Sequence, residues 1–262
     1  MCLIDFYYSY SHKGYILNLI RDRRTNTKLK YGNEINTLTF TNFTAQDFNL
    51  FFVICWHIKQ KKSKKLTLTF DELKKFMPKQ IKNNKKFFDE VFAFSRKLMI
   101  IIVSKEKTNE NGRNREGKCK NFLTYAETLE DERTLSIIVS DMAYDILFYT
   151  NYFTKFDLNE FCSIQNKYTK TLFRLLKQYE NVNENPVNGL KNIVMEKKEF
   201  LEFMNCPEKY MNNMSMYIDK KILIPAINEL NERSQSFKNV SFQKIKEGGA
   251  IKKFEISFQT IK

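Results

Sequence analysis

The chain has 262 residues, 42% of them hydrophobic and 15% aromatic, with 44 basic and 30 acidic side chains and a net charge of +14. That length allows one large domain or two of ordinary size, and the apolar content rules out a disordered chain. The positive excess suggests an anionic partner, whether nucleic acid, a membrane surface or an acidic protein, and the seven glycines and four prolines argue against Gly-rich cofactor folds and linker-rich chains.

No apolar run approaches the roughly 18 residues of a membrane span. The first twenty residues lack a basic leader and place Asp5 where an apolar stretch would be needed, so neither a signal peptide nor a membrane association is expected. The cysteines, Cys2, Cys55, Cys119, Cys162 and Cys206, are odd in number and scattered, which fits a reducing cytoplasm and no zinc ribbon. His12 and His57 are too few for a His-rich metal site, so no metal and no cofactor are expected. Positive charge is concentrated: residues 59–120 hold 19 basic and 7 acidic side chains, a pattern suited to a phosphate-facing surface.

In chain order, Thr44 caps a helix through residue 60, with Phe48, Phe51, Phe52, Cys55 and Ile58 at helical spacing. Trp56 and His57 on this helix read as core or interface. KKLTLTF alternates as a short strand; Asp71 opens a second helix that stops before Pro78; Asn83 or Asn84 opens a third. The strand MIIIVS, a polar basic tip TNENGRNREGK and the returning strand KNFLTYAE read as a wing, and TLSIIVS adds a strand. The same order then recurs. Ser163 caps a helix carrying Tyr168, Leu172, Leu175 and Tyr179 on one face. A strand around Ile193–Met195 precedes KKEFLEFM, and a third helix repeats Ile218, Ile222, Ala226 and Leu230 every fourth residue. Pro225 should bend it. Two strands joined at Glu247-Gly248-Gly249 form a hairpin.

Helix, short strand, helix, helix, hairpin is the order of a winged helix, so the expected fold class is α+β with tandem winged-helix domains. In that geometry the third helix enters the major groove and the wing follows phosphates. Two small α+β domains without a DNA role are the plainer alternative.

Residues 31–262 resemble plasmid replication initiators of the Rep_3 superfamily, most closely the RepB-type initiators of Gram-positive theta-replicating plasmids. Three blocks carry the resemblance. The first runs from Gly32-Asn33-Glu34-Ile35-Asn36 through FTAQDFNLFF and LTFDELKKF; the second is FTKFDLNEFCSIQNKYTKTLFRLLKQY. The third joins Tyr217-Ile218-Asp219-Lys220-Lys221 to Ile224-Pro225-Ala226 and Glu229-Leu230. The resemblance implies a protein that binds repeated duplex sequences (iterons) at a plasmid origin, opens the origin and recruits a host replication initiator or helicase. It implies a homodimer in equilibrium with a monomer, with dimers that often repress their own promoter. On this reading residues 1–30 are a variable extension, 31–150 the first winged-helix domain and 151–262 the second.

The candidate DNA-contacting residues follow. Lys85, Lys86 and Arg96 lie on the third helix of the first unit, and Arg113, Arg115, Lys118 and Lys120 on its wing. In the second unit Lys220 and Lys221 open the third helix, with Lys209, Asn212 and Asn213 before it and Lys244, Lys246, Lys252 and Lys253 on the hairpin. Asn212 and Asn213 either cap that helix or read adenine. Relatives commonly carry Arg near this helix; the lysines here lack the guanidinium fork. The second unit should carry more of the base readout. The window 121–150 has one basic and six acidic side chains, and its apolar residues Ile137, Ile138, Val139, Ile146, Leu147 and Phe148 suit a dimer interface or packing between units.

No enzyme is expected. Two separated histidines exclude the usual rolling-circle nuclease, no GxxxxGK[ST] loop occurs, and Glu72, Asp89 and Glu90 read as helix-face charges. A winged-helix repressor without an initiation role is the alternative function, and a protein-interaction scaffold is a third class.

Overall fold

Thr44 and Asp47 start the central helix by capping each other: the Asp47 amide donates to the Thr44 hydroxyl at 3.2 Å and the Thr44 amide to the Asp47 carboxylate at 2.7 Å. This is seen in a computed structural model that describes residues 26–78, 81–108, 115–149, 151–207 and 215–261. The helix, α1 (Ala45–Lys61), is buried on every side from Phe48 to Ile58, as an all-round apolar helix must be. His57 and Trp56 lie within it, the indole donating to the Asn26 carbonyl at 3.0 Å.

Around α1 the first unit runs β2 (Lys65–Thr69), α2 (Phe70–Lys74), α3 (Asn84–Met99), β3 (Ile102–Thr108), β4 (Arg115–Asn121), β5 (Leu123–Leu129), β6 (Thr134–Val139) and α4 (Asp141–Phe148). The second unit has α5 (Leu158–Ser163), α6 (Lys167–Gln178), β8 (Lys191–Glu196), α7 (Lys197–Phe203), α8 (Ser215–Ile218), a π-turn (Asp219–Leu223), α9 (Ile224–Arg233), β9 (Phe237–Glu247) and β10 (Ala250–Thr260). The sheets share one strand order. The first is β2-β6-β5 and the second β8-β10-β9, so in both the short first strand pairs with the last and the last with the middle. The chain is therefore α+β with two winged helices.

Three expectations change. The hairpin that read as the first wing, β3–β4, is a separate two-stranded ribbon inserted between α3 and the three-stranded sheet. The sheet's own hairpin is β5–β6, and its tip, Glu130-Asp131-Glu132-Arg133, is acidic. The second helix starts at Phe70, because Thr69 and Glu72 form the capping box. Ser163 ends the short helix α5, and Asn166 caps α6 by accepting from the Tyr168 amide at 2.8 Å.

The strand β1 (Lys28–Gly32) pairs antiparallel with β7 (Phe153–Asp157), from Lys28 opposite Asp157 to Gly32 opposite Phe153. This two-stranded sheet joins the start of the first unit to the start of the second, and the buried rings continue across it. Phe52 lies 5.4 Å from Phe156 and 4.9 Å from Phe161; Phe173 follows at 5.8 Å from Phe156, then Phe237 at 5.6 Å from Phe173. In the window 121–150, Ile137, Val139, Ile146 and Leu147 belong to this core. Among the described residues no helix is long and apolar enough to cross a membrane, and no cluster of three or more His, Cys, Asp or Glu could hold a metal ion.

Candidate nucleic-acid interface

The third helix of the first unit, α3, is amphipathic. Phe87, Val91, Phe94 and Leu98 are buried against the sheet, and Lys85, Lys86 and Arg96 are exposed. Asn83 caps it by accepting from the Lys86 amide at 3.0 Å, which fixes where the first turn presents its lysines. None of the three cations forms an ion pair among the described residues, so their charge remains available to an anion.

The third helix of the second unit is α8, the π-turn and α9 in continuous succession. A strict four-residue spacing overshoots an α-helical turn by about 40° per step. The wider π-turn takes up that drift, and Ile218, Ile222, Ala226 and Leu230 all stay buried. Pro225 follows the π-turn at the start of α9, where its missing N–H costs least. Lys220 and Lys221 lie in the π-turn, one turn inside the helix rather than at its opening, and both are exposed without an ion pair among the described residues.

The hairpin β9–β10 turns on Gly248 and Gly249, with φ of 57° and 82°, the left-handed pair that a two-residue turn of the primed type demands. Lys246 and Lys252 stand exposed near this tip, without an ion pair among the described residues. Lys244 and Lys253 do not: Lys244 pairs with Asp219 of the π-turn, and Lys253 with Glu196 of β8 at 3.2 Å. The first pair ties wing to helix, and Asn231 clamps the same two elements through bonds of 2.8 Å to both the N–H and the carbonyl of Val240.

On the ribbon, Arg115 is exposed and forms no ion pair among the described residues, whereas Lys118 sits 2.7 Å from Glu116 and Lys120 3.9 Å from Asp141. Lys105 and Lys118 are direct cross-strand partners, and Lys105 lies 3.9 Å from Asp145, so this face of the ribbon turns toward the acids of α4. Arg113, Lys209, Asn212 and Asn213 lie outside the described residues. Among the described residues, Lys85, Lys86, Arg96, Arg115, Lys220, Lys221, Lys246 and Lys252 are thus exposed cations without a carboxylate partner, while four others are held by carboxylates.

Between the units lies a polar cluster that sequence reasoning did not single out. Asn36 accepts from the Tyr31 hydroxyl at 3.1 Å and from Arg174 at 3.2 Å, and donates to Gln178 at 2.8 Å and Thr154 at 3.1 Å. The Arg174 guanidinium, 1% exposed, sits 5.0–5.8 Å from the ring centres of Phe40, Phe48, Phe52 and Phe203. Burial lowers its pKa to about 10. Lys170, one turn earlier on α6, is also buried and donates to the Phe161 carbonyl at 2.5 Å; burial lowers its pKa to about 8. Burial pushes the thiols of Cys162 and Cys206 up to about 12 and lowers the pKa of His57.

The family model described as "Initiator Replication protein, WH1" matches residues 28–177, and "Initiator Rep protein, WH2" matches residues 196–258. A probable replication protein of Bifidobacterium longum (strain NCC 2705) is 24% identical over 209 residues, which is 78% of this chain. The chain spans 65% of that relative's length. Among solved structures, a Pi initiator protein in complex with iteron DNA superposes with a TM-score of 0.67 at 15% identity, over 91% of this chain and 99% of that one. At that identity the likeness is one of fold.

Proposed function

This chain belongs to the initiator replication protein family, and on that premise we propose that it binds repeated duplex sequences at a plasmid origin and promotes opening of that origin. The observation that carries the reading is the repetition of one device. Each winged helix has the same strand order, and each third helix presents exposed cations without ion pairs among the described residues: Lys85, Lys86 and Arg96 on one, Lys220 and Lys221 on the other. The similar Pi initiator was solved on iteron DNA, which supports the choice of ligand. Two such helices on one contiguous core suit two successive major-groove segments of one duplex.

The second unit is the better reader of bases. Its wing is tied to its helix by Lys244–Asp219 and the Asn231 clamp, while Lys246 and Lys252 at the tip reach phosphates. In the first unit the sheet hairpin is acidic at its tip, so phosphate contacts fall to α3 and to Arg115 on the ribbon. The protein acts by binding and host recruitment, not as an enzyme, in the bacterial cytoplasm, and interconverts between monomer and homodimer. A repressor acting on its own promoter would use the same surface.

Fluorescence anisotropy on the DNA flanking its own gene, against random duplex, tests the reading. Log affinity should fall with log salt with a slope on the order of −5 to −9. A slope near zero, or equal affinity for both duplexes, would contradict it.

A further inference from the structure

The outward stripe of α3 holds one apolar side chain, which phosphate binding does not use. We propose that Phe92 is a specificity-determining residue that contacts the 5-methyl group of thymine in the major groove, so that the first unit selects A·T pairs beneath the middle of its helix. The proposal rests on α3 being a groove-entering helix, as argued above.

Lys85, Asp89, Phe92 and Arg96 follow the spacing i, i+4, i+7, i+11 and therefore share one stripe, opposite buried Phe87, Val91, Phe94 and Leu98. Phe92 is 48% exposed in the middle of it. Its ring lies parallel to that of Phe88 one turn earlier, at 6.0 Å and 7°, and Phe88 is itself packed against the core. The exposed ring is thus steadied from below rather than free to fold back.

The charges around it select the ligand. Lys85 and Arg96 are eleven residues apart, about 16 Å along the axis, comparable with a major groove about 12 Å wide. Cations at the two ends can therefore meet phosphates while the middle lies over base edges. Asp89, next to Phe92 on the stripe, would repel a phosphate in the middle but can accept from a cytosine amino group. The one apolar group that base edges offer in the major groove is the thymine methyl. A protein partner for this stripe would have to be acidic at both ends and apolar between them.

The test replaces thymines by deoxyuridine one at a time in a duplex that the full chain binds, and measures affinity by anisotropy. For the parent chain, one or two positions should weaken binding about fourfold, the worth of one buried methyl group. Phe92→Ala should weaken the thymine duplex and bind thymine and uracil duplexes equally. Arg96→Ala should weaken both duplexes alike and keep the discrimination. A half-exposed ring should leave the urea midpoint of Phe92→Ala nearly unchanged, which separates a binding defect from misfolding. Indifference of the parent to every replacement, or discrimination retained by Phe92→Ala, overturns the proposal while leaving duplex binding intact. Loss of self-association in Phe92→Ala, with its discrimination retained, would make the stripe a protein interface. Absence of any sequence-specific binding by the parent would instead overturn the proposed function.

Discussion

Arg174 of α6 donates to Asn36 at 3.2 Å, across 138 positions of sequence, and the pair joins the turn after β1 to the long first helix of the second unit's core. Asn36 serves four partners and Arg174 lies among aromatic rings, so neither can be lost without stranding the other. Removing the amide leaves a buried guanidinium and the Tyr31 hydroxyl without their acceptor. Asn36→Ala should therefore lower unfolding free energy by about 2–4 kcal/mol. Arg174→Met removes the charge and keeps apolar contact, and should cost less. Urea denaturation decides; a smaller loss for Asn36→Ala than for Arg174→Met would refute the arrangement.

The Lys170 ammonium makes stability depend on pH. Its folded pKa of about 8 lies below the ordinary lysine value of 10.5 because burial penalises the charge. Between those values the unfolded chain holds a proton that the folded chain has released, so this group adds stability as pH rises through that window. Below pH 8 its penalty is constant. The parent should gain on the order of 2–3 kcal/mol relative to Lys170→Met between pH 8 and 10.5. Parallel pH profiles for the two proteins would contradict this.

Glu160 shows a buried carboxylate used as a structural acceptor. It is bonded by the amides of Gln235 and Ser236 at 2.9 Å and by the hydroxyls of Ser234 and Ser236 at 2.9 and 2.6 Å, and so pins the turn between α9 and β9 to α5. Glu160→Gln replaces one acceptor oxygen by a donor and should cost about 1–3 kcal/mol. A change within experimental error in the thermal midpoint would show that the turn holds without it.

These relationships also mark what could be read from residues alone. Thr44 announced its helix and the Asn83-Asn84 pair the third, because caps are local chemistry, and the Gly-Gly turn announced its hairpin because glycine takes positive φ values at no steric cost. The sheet pairing was not local. Lys65 pairs with Ile138, and nothing within 102–139 distinguishes which of two successive hairpins closes that sheet, so the ribbon has the local pattern of a wing. β1 alternates in burial from Lys28 to Tyr31, but its partner β7 is more than 120 residues away, and the pairing runs across the boundaries drawn at 30 and 150. The π-turn had a trace in the four-residue spacing and Pro225. The ion pairs of Lys244 and Lys253 had none, since their carboxylates come from other elements.

Division of labour between helix and hairpin within the second unit gives a further expectation. Changing Lys220 and Lys221 together to Ala should cost about 1–3 kcal/mol on specific duplex, with little change on random duplex. Changing Lys246 and Lys252 to Ala should weaken both alike and make the salt slope shallower by about 2. Competition titrations separate the cases; discrimination lost by the hairpin variant and kept by the helix variant would reverse the assignment.

The central claim is that two winged helices on one core read one duplex. Hydroxyl-radical footprinting of the full chain on DNA flanking its own gene tests it most directly. The account predicts protection of each repeat over about two helical turns, in two patches one turn apart, with the patch nearer the second unit lost first in the Lys220/Lys221 double alanine variant. A single patch no longer than one turn, or protection without sequence preference, would contradict it.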